Sequence, residues 1–216
     1  MLPLQLTSPP GRPLSVLAIG AHPDDIEIGA GGMLLSLAEA RPGLQARYLV
    51  LTGTADRQRE ARTAAASFLP ASDLTVGLLD LPEGRLPAAW EQAKDALEQV
   101  ALSCSPDLIL APSRHDAHQD HRVIAEIVPT VFRDSLCLAY EIPKWDGDLG
   151  QPSFYFSLSP EMARVKVELL NKCFPSQRNR DWWDEEVFLG LARLRGMECR
   201  APYAEAFICT KSLIRC

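Results

Sequence analysis

The chain has 216 residues, 47% of them hydrophobic and 23% charged, and 28 acidic against 22 basic side chains leave a formal net charge of -6. That size and apolar content fit a globular protein with one sizeable core and argue against a disordered or membrane class. The acidic surplus gives the surface no overall attraction to a phosphate backbone, so no nucleic-acid partner is expected. The apolar run from Leu14 to Ala21 is interrupted by Ser15 and closed by His22, far short of the roughly 20 residues of a membrane helix. Pro3, Pro9, Pro10 and Pro13 break the region where a secretory signal would need an uninterrupted apolar segment, and a cytoplasmic location is expected. Six cysteines (Cys104, Cys137, Cys173, Cys199, Cys209, Cys216) are scattered without a C-x-x-C pair. They read as reduced, mostly buried thiols rather than disulfides or a sulfur-ligated zinc site.

In chain order, Leu14 to Gly20 (LSVLAIG) is a short apolar run between Pro13 and His22-Pro23 and reads as a buried strand. Gly29 to Ala40 has apolar residues at helical spacing and is closed by Pro42-Gly43. Arg47 to Thr52 is the next strand, Arg57 to Leu69 an alanine-rich helix ended by Pro70, Leu74 to Leu79 a third strand and Ala88 to Leu102 a third helix. Asp107 to Ala111 follows as a strand, then a polar loop, a helix from His121 to Phe132 open to interruption at Pro129, and a fifth strand from Leu136 to Ile142. This alternation predicts an α/β, Rossmann-like, doubly wound and mostly parallel sheet with helices on both faces over about residues 14–142. Beyond Pro143 the rhythm changes. Lys144 to Pro152 is a turn-rich loop, Phe154 to Leu158 a short strand, Ser159 an N-cap for a helix to Lys172, Trp182 to Leu194 another helix and Glu205 to Thr210 a last strand. No repeat or long linker appears, so residues 143–216 are expected as a C-terminal extension of a single domain spanning 1–216.

Two segments concentrate residues that a stable fold does not need. Gly20-Ala21-His22-Pro23-Asp24-Asp25 ends the first strand, and His115-Asp116-Ala117-His118-Gln119-Asp120-His121 follows the fourth. In open α/β sheets ligands bind at the carboxyl ends of the strands, beside the point where the winding reverses. With the common strand order 3-2-1-4-5, both segments face one crevice. Their imidazoles and carboxylates are a zinc ligand set. His22 and Asp25, three apart across a turn fixed by Pro23, can point at one ion, and one histidine of the second segment would complete a catalytic triad of ligands. Asp24 is then left as a general base for a water, and a second histidine as an oxyanion stabiliser or acid. The bland alternative is a turn in which Asp24 or Asp25 caps the helix from Gly29, beside a solvated histidine loop. Against it, three of the four histidines lie in one seven-residue loop and the fourth stands beside Asp24-Asp25.

Ala21-His22-Pro23-Asp24-Asp25 and His118-Gln119-Asp120-His121 resemble the A/G-H-P/x-D-D and H-x-D-H motifs of the PIG-L/LmbE-like family of zinc-dependent N-deacetylases, which act on N-acetylglucosaminyl conjugates. The resemblance implies that His22, Asp25 and His121 hold zinc or another divalent cation and that Asp24 is the general base. It further implies that His118 stabilises the oxyanion or acts as acid, with Asp120 as its orienting carboxylate. Arg57-Gln58-Arg59-Glu60-Ala61 is similar to the family's R-x-x-E-A helix start, which implies a substrate-side role for Arg57. Ser176-Gln177 and Tyr203-Ala204-Glu205-Ala206-Phe207 resemble a late S-Q pair and a Y-A-E-A-F ending. Leu81-Pro82-Glu83-Gly84 stands where members often have P-D-G, and Thr52-Gly53-Thr54-Ala55 lacks the glycine- and acid-rich sequence common after the second strand. The implied enzyme is a hydrolase of a small-molecule N-acetylated glycoconjugate, and a homo-oligomer is compatible with it.

His115 reads as a solvated loop residue. Trp182 and Trp183 read as packing residues at a helix start, with sugar contact as the sharper alternative, and Trp145 in the turn-rich loop has a better claim to a binding surface. Gly29-Ala30-Gly31-Gly32 invites a nucleotide- or S-adenosylmethionine-binding transferase, but it does not fit G-x-G-x-x-G, and His22-Pro23-Asp24-Asp25 brings negative charge to where a pyrophosphate would sit. A non-catalytic binding module on the same fold is the third reading.

Overall fold

The computed structural model describes residues 1–8 and 10–213; Pro9 and Cys216, which entered the readings of the N-terminus and of the thiols, lie outside the described residues. The strands are β1 (Ser15–Gly20), β2 (Gln45–Thr52), β3 (Asp73–Leu81), β4 (Leu108–Pro112), β5 (Leu136–Tyr140), β6 (Phe154–Leu158) and β7 (Tyr203–Ile208). The helices are α1 (Asp25–Ala40), α2 (Ala55–Phe68), α3 (Trp90–Ser103), α4 (Gln119–Val131), α5 (Pro160–Cys173) and α6 (Glu185–Cys199). Among the described residues they form a seven-stranded sheet in the order β3-β2-β1-β4-β5-β7-β6. β1 to β5 are parallel, while β7 runs antiparallel to both β5 and β6. The winding reverses between β1 and β4, as in the common order 3-2-1-4-5, and the chain beyond β5 extends the same sheet.

Side chains alternate across the strands, and the two faces build two cores. Val16 and Ala18 of β1, with Tyr48 and Val50 of β2, pack under α1, α2 and α5. Leu17 and Ile19, with Leu49 and Leu51, pack under α3 and α4 through Ala93, Leu97, Ile124 and Val128. No helix among the described residues is long and apolar enough to cross a membrane.

Two expectations about helices are corrected. α1 starts at Asp25 rather than Gly29, so the glycine run lies inside the helix. A Cβ on Gly29 would stand 2.3 Å from the Tyr140 ring, on Gly31 2.6 Å from Phe68 and on Gly32 2.7 Å from Leu158. These glycines let α1 press against its neighbours, which removes the structural basis for a phosphate-binding loop there. α4 also runs through Pro129. A proline lacks the N–H that would bond the carbonyl of Ala125, and Arg114 Nε donates to that carbonyl instead, at 3.2 Å. The thiols differ as well: Cys173 is buried, but Cys104, Cys137, Cys199 and Cys209 are only half-buried, and all five are free.

α1 is anchored from the far side by the last strand. Glu205 of β7 accepts from the N–H groups of Gly32 and Met33, each at 2.7 Å. Lys166 of α5 lies 2.6 Å from the same carboxylate and donates to Ile28 O at 2.6 Å. The Glu205 of the Y-A-E-A-F ending therefore holds the helix that carries Asp25. Gly29→Ala should destabilise the protein by roughly 2 kcal/mol or more, because the tyrosine ring has no room to move aside. Urea titration of the two proteins checks this, and equal midpoints would show that the contact is not tight.

Candidate active site

β1 ends at Gly20 and the chain turns through Ala21-His22-Pro23-Asp24 into α1. Asp25 folds back on this turn, its Oδ2 accepting from the N–H groups of Ala21 and His22, each at 2.8 Å. Asp24 is the N-cap residue of α1, yet its φ of 113° is left-handed and its side chain makes no bond to the helix. A residue with a Cβ is strained there. Its carboxylate goes instead to Arg57 Nη2, at 2.9 Å, and the same nitrogen donates to Pro23 O. Gly53, at the end of β2, is required by this arrangement: its φ is 125° and a Cβ would stand 2.7 Å from Pro23 Cγ.

The second segment leaves β4 and enters α4. His118 is the N-cap of α4, its Nδ1 accepting from the N–H of Asp120 at 3.2 Å. That bond places the proton of the neutral ring on Nε2. His121 lies one turn later and is buried.

The two segments meet. His22 Nδ1 is 3.2 Å from His121 Nε2, His121 Nε2 is 3.2 Å from Asp25 Oδ2, and His22 Nδ1 is 3.5 Å from Asp25 Oδ2. Tetrahedral ligands about 2.0–2.1 Å from an ion stand about 3.4 Å apart, so these three donor atoms have the spacing of ligands on one small cation. His118 joins the same cluster, with a nitrogen within 4.8 Å of those of His22 and His121. Donors at roughly 3.3 Å fit a common ion more closely than the looser three-histidine set.

Two further carboxylates hold the imidazoles from behind. Asp120 Oδ2 lies 3.1 Å from His22 Nε2 and accepts from Gly84 N at 2.6 Å, while its Oδ1 accepts from Leu86 N at 3.0 Å. This corrects the expectation that Asp120 orients His118: its side chain orients His22, and only its N–H meets His118. Asp116 Oδ2 lies 2.8 Å from His121 Nδ1. Its Oδ1 accepts from His118 N at 2.8 Å and faces Lys144 Nζ at 3.0 Å. The motifs assign no role to Asp116 or Lys144. Asp116 was visible as an acid in the histidine loop, whereas Lys144 lies in another loop with no spacing to betray it.

Arg57 bonds Asp24 and Pro23 O and lies 3.4 Å from Glu83 Oε1, and its Nε has no partner among the described residues. His115 is exposed, as expected of a loop residue, and Trp183 is buried.

Charge explains the packing. Burial pushes Asp24 up to about 7, with Arg57 opposing and Asp25 reinforcing it. Burial would also raise Asp25, but the facing His121 and His22 hold it well below the usual carboxylate range. Burial lowers His22 and His121, yet Asp25, Asp120 and Asp116 outweigh it and take them to about 10 and about 9. His118 is pushed below its ordinary value by burial and by the other two imidazoles. A pocket that draws protons onto two buried imidazoles this strongly is electronegative and suits a divalent cation.

Residues 17–132 match the family model described as GlcNAc-PI de-N-acetylase, PIG-L. An uncharacterized deacetylase of Escherichia coli (strain K12), YaiS, is 30% identical over 181 residues, covering 77% of this chain and 94% of the relative. Among solved structures, the N,N'-diacetylchitobiose deacetylase of Pyrococcus horikoshii superposes with a TM-score of 0.71 at 21% identity, over 92% of this chain and 84% of that one. GalB, the 4-carboxy-2-hydroxymuconate hydratase of Pseudomonas putida KT2440, does so with a TM-score of 0.71 at 16% identity, over 94% of this chain and 98% of that one.

Beside the site, Glu27 is fully buried; its Oε1 accepts from Tyr48 OH at 2.9 Å and its Oε2 has no partner. Burial pushes its carboxyl from 4.5 up to about 8. An acid whose folded pKa is raised stabilises fully below its unfolded pKa and loses that contribution as pH rises through the folded one. Relative to Glu27→Gln, the wild type should therefore lose roughly 2 kcal/mol or more between pH about 5 and about 8. Denaturant titrations across that range check it, and parallel pH profiles would refute it.

Proposed function

The chain belongs to the PIG-L family described as GlcNAc-PI de-N-acetylase, and from that premise we propose that it is a zinc-dependent hydrolase that removes the acetyl group from the N-acetyl amide of an amino-sugar conjugate. The observation that carries the reading is the triangle of His22 Nδ1, Asp25 Oδ2 and His121 Nε2, with edges of 3.2 to 3.5 Å, standing beside a buried carboxylate that is not part of it.

Those three atoms would hold the zinc, which when bound would polarise the acetamide carbonyl and acidify a neighbouring water. Asp24 is the general base. Its carboxyl lies near neutrality, where a group takes and returns a proton with most effect. Arg57 fixes its direction, and the strained backbone at Asp24 turns the side chain away from the helix. His118, with Nδ1 occupied by the N–H of Asp120, presents Nε2–H as a donor to the developing oxyanion. The bond from water oxygen to the carbonyl carbon forms, the carbon–nitrogen bond breaks, and Asp24 passes the proton to the departing amine, giving acetate and a free amino sugar. Asp120, at His22 Nε2, would leave Nδ1 of that ring to the zinc, and Asp116, 2.8 Å from His121 Nδ1, would favour the tautomer that leaves Nε2 to it.

The experiment is acetate release from a panel of N-acetylated glycoconjugates with zinc present, together with metal analysis. Asp24→Ala should keep its metal and lose turnover by roughly 100-fold or more, whereas His121→Ala should lose the metal. Near-normal activity of Asp24→Ala would sink the assignment of the base. Asp120→Asn and Asp116→Asn should each weaken zinc binding by roughly 10- to 100-fold in competition with a chromophoric chelator. Unchanged affinity in both would mean that neither carboxylate positions a ligand.

A further inference from the structure

Trp145 is 66% exposed, in the loop that leaves β5 at the carboxyl edge of the sheet, where β1 and β4 also end. Its orientation is fixed. Nε1 donates to Asp181 Oδ1 at 3.1 Å, and the ring meets Trp182 edge to face with centroids 6.2 Å apart. Trp182 packs on Trp183 at 5.5 Å, and the buried Trp183 packs on Phe174 at 5.9 Å and Phe188 at 5.2 Å. The exposed indole is thus the outer end of an aromatic ladder rooted in the core.

Both segments that carry the ladder are tied to the reaction centre. The neighbour of Trp145 is Lys144, whose Nζ lies 3.0 Å from the carboxylate that holds His121. On the other side, Ser176 donates through N and Oγ to Glu60 at 2.9 and 2.6 Å. Glu60 stands one turn after Arg57, which holds Asp24. The Ser176-Gln177 pair and the Glu60 of R-x-x-E-A therefore brace the tryptophan-bearing segment against the helix that positions the base.

Trp145 is thus a large indole held rigid, left in water, and one residue from Lys144, which reaches the carboxylate beside His121. The apolar C–H face of a pyranose fits an indole face, and the carboxylate beside it, Asp181, with Asp146 next in the chain to Trp145, offers acceptors to ring hydroxyls. We propose that Trp145, backed by Trp182, is a stacking subsite for a second, uncharged pyranose ring linked to the N-acetylated sugar in the reaction centre. This rests on the deacetylase reading above and narrows its substrate class to glycosides of at least two sugar units.

The test compares N,N'-diacetylchitobiose with N-acetylglucosamine as probes, on wild type, Trp145→Ala and a control, Trp90→Ala, at a partly exposed tryptophan on α3 across the sheet. Trp145→Ala should raise KM for the disaccharide roughly tenfold, with kcat and the monosaccharide KM near wild type, and Trp90→Ala should change neither. An unchanged disaccharide KM, or an equal rise for both sugars, overturns the subsite. Tryptophan emission of zinc-stripped protein, titrated with the disaccharide, reads binding without turnover: a quench lost in Trp145→Ala supports the subsite even if neither sugar is hydrolysed, because the deacetylase reading is judged separately, by acetate release across the whole panel. Hydrolysis with no quench, or an emission that responds to protein concentration and not to sugar, overturns the subsite and leaves the deacetylase reading standing.

Discussion

Buried negative charge at the carboxyl ends of β1 and β4 is the constraint around which the molecule is arranged. Asp24, Asp25, Asp116 and Asp120 are all at most 5% exposed, and they crowd around two buried imidazoles. Each carboxylate taken out of water costs several kcal/mol unless hydrogen bonds and charges replace its solvation. The chain supplies them from every loop on that edge: the N–H groups of Ala21 and His22 after β1, Arg57 after β2, the N–H groups of Gly84 and Leu86 after β3, that of His118 after β4 and Lys144 after β5. The loops are ordered by the same charges that they neutralise. What they leave over is the space between His22, His121 and Asp25, where protons or a cation must complete the balance.

The position of Asp25 depends on a second arrangement, distant from the chemistry. Asp25 opens α1, and α1 can approach the sheet only because Gly29, Gly31 and Gly32 present no side chain to Tyr140, Phe68 and Leu158. The approach is then locked by Glu205 and Lys166, which bond to backbone groups of the helix itself. A buried ion pair of this kind contributes little net stability compared with apolar packing, but loss of one partner leaves the other charge stranded. Its effect is to fix where the helix sits along its axis, and through it the carboxylate at the first turn. The last strand of the chain thereby sets the geometry of the first motif.

These two arrangements differ in how far the sequence discloses them. The strand-helix alternation follows from apolar runs, because the periodicity of a covered parallel sheet is strong, and the common strand order 3-2-1-4-5 then brings His22-Asp25 and His118-His121 to one crevice. The start of α1 does not follow from such runs: Asp25 to Leu35 are all buried, so the helix has no amphipathic stripe to mark its first turn, and Pro23-Asp24 reads as chemistry rather than as a cap. The continuation of α4 through Pro129 depends on Arg114, eleven residues from Ala125 in sequence. The partner of Asp120 is hidden from the sequence for a related reason. The nearest histidine along the chain is His118, but the side chain turns to His22, 98 residues away, and is held there by N–H groups of a loop whose path no motif encodes. Contacts made by backbone amides and by long lysine or arginine side chains are the part of the site that a sequence conceals.

The fold does not decide the reaction, since a hydratase shares it; the decision lies in how the water's proton is handled. Hydration of a double bond delivers a proton to carbon and breaks no bond to a leaving group, whereas amide hydrolysis needs one base to take the water's proton and then surrender it to a leaving nitrogen. Asp24 has opposed influences suited to the second task. Burial favours its protonated form, and Arg57 at 2.9 Å favours the ionised one. A carboxyl with burial alone would keep the proton, and one with the arginine alone would not accept it. In the proposed reaction these opposed influences would let the same residue serve as base in the first half and as acid in the second. His118, its proton placed on Nε2 by the backbone N–H of Asp120, would in that proposal serve the oxyanion without competing for the transfer.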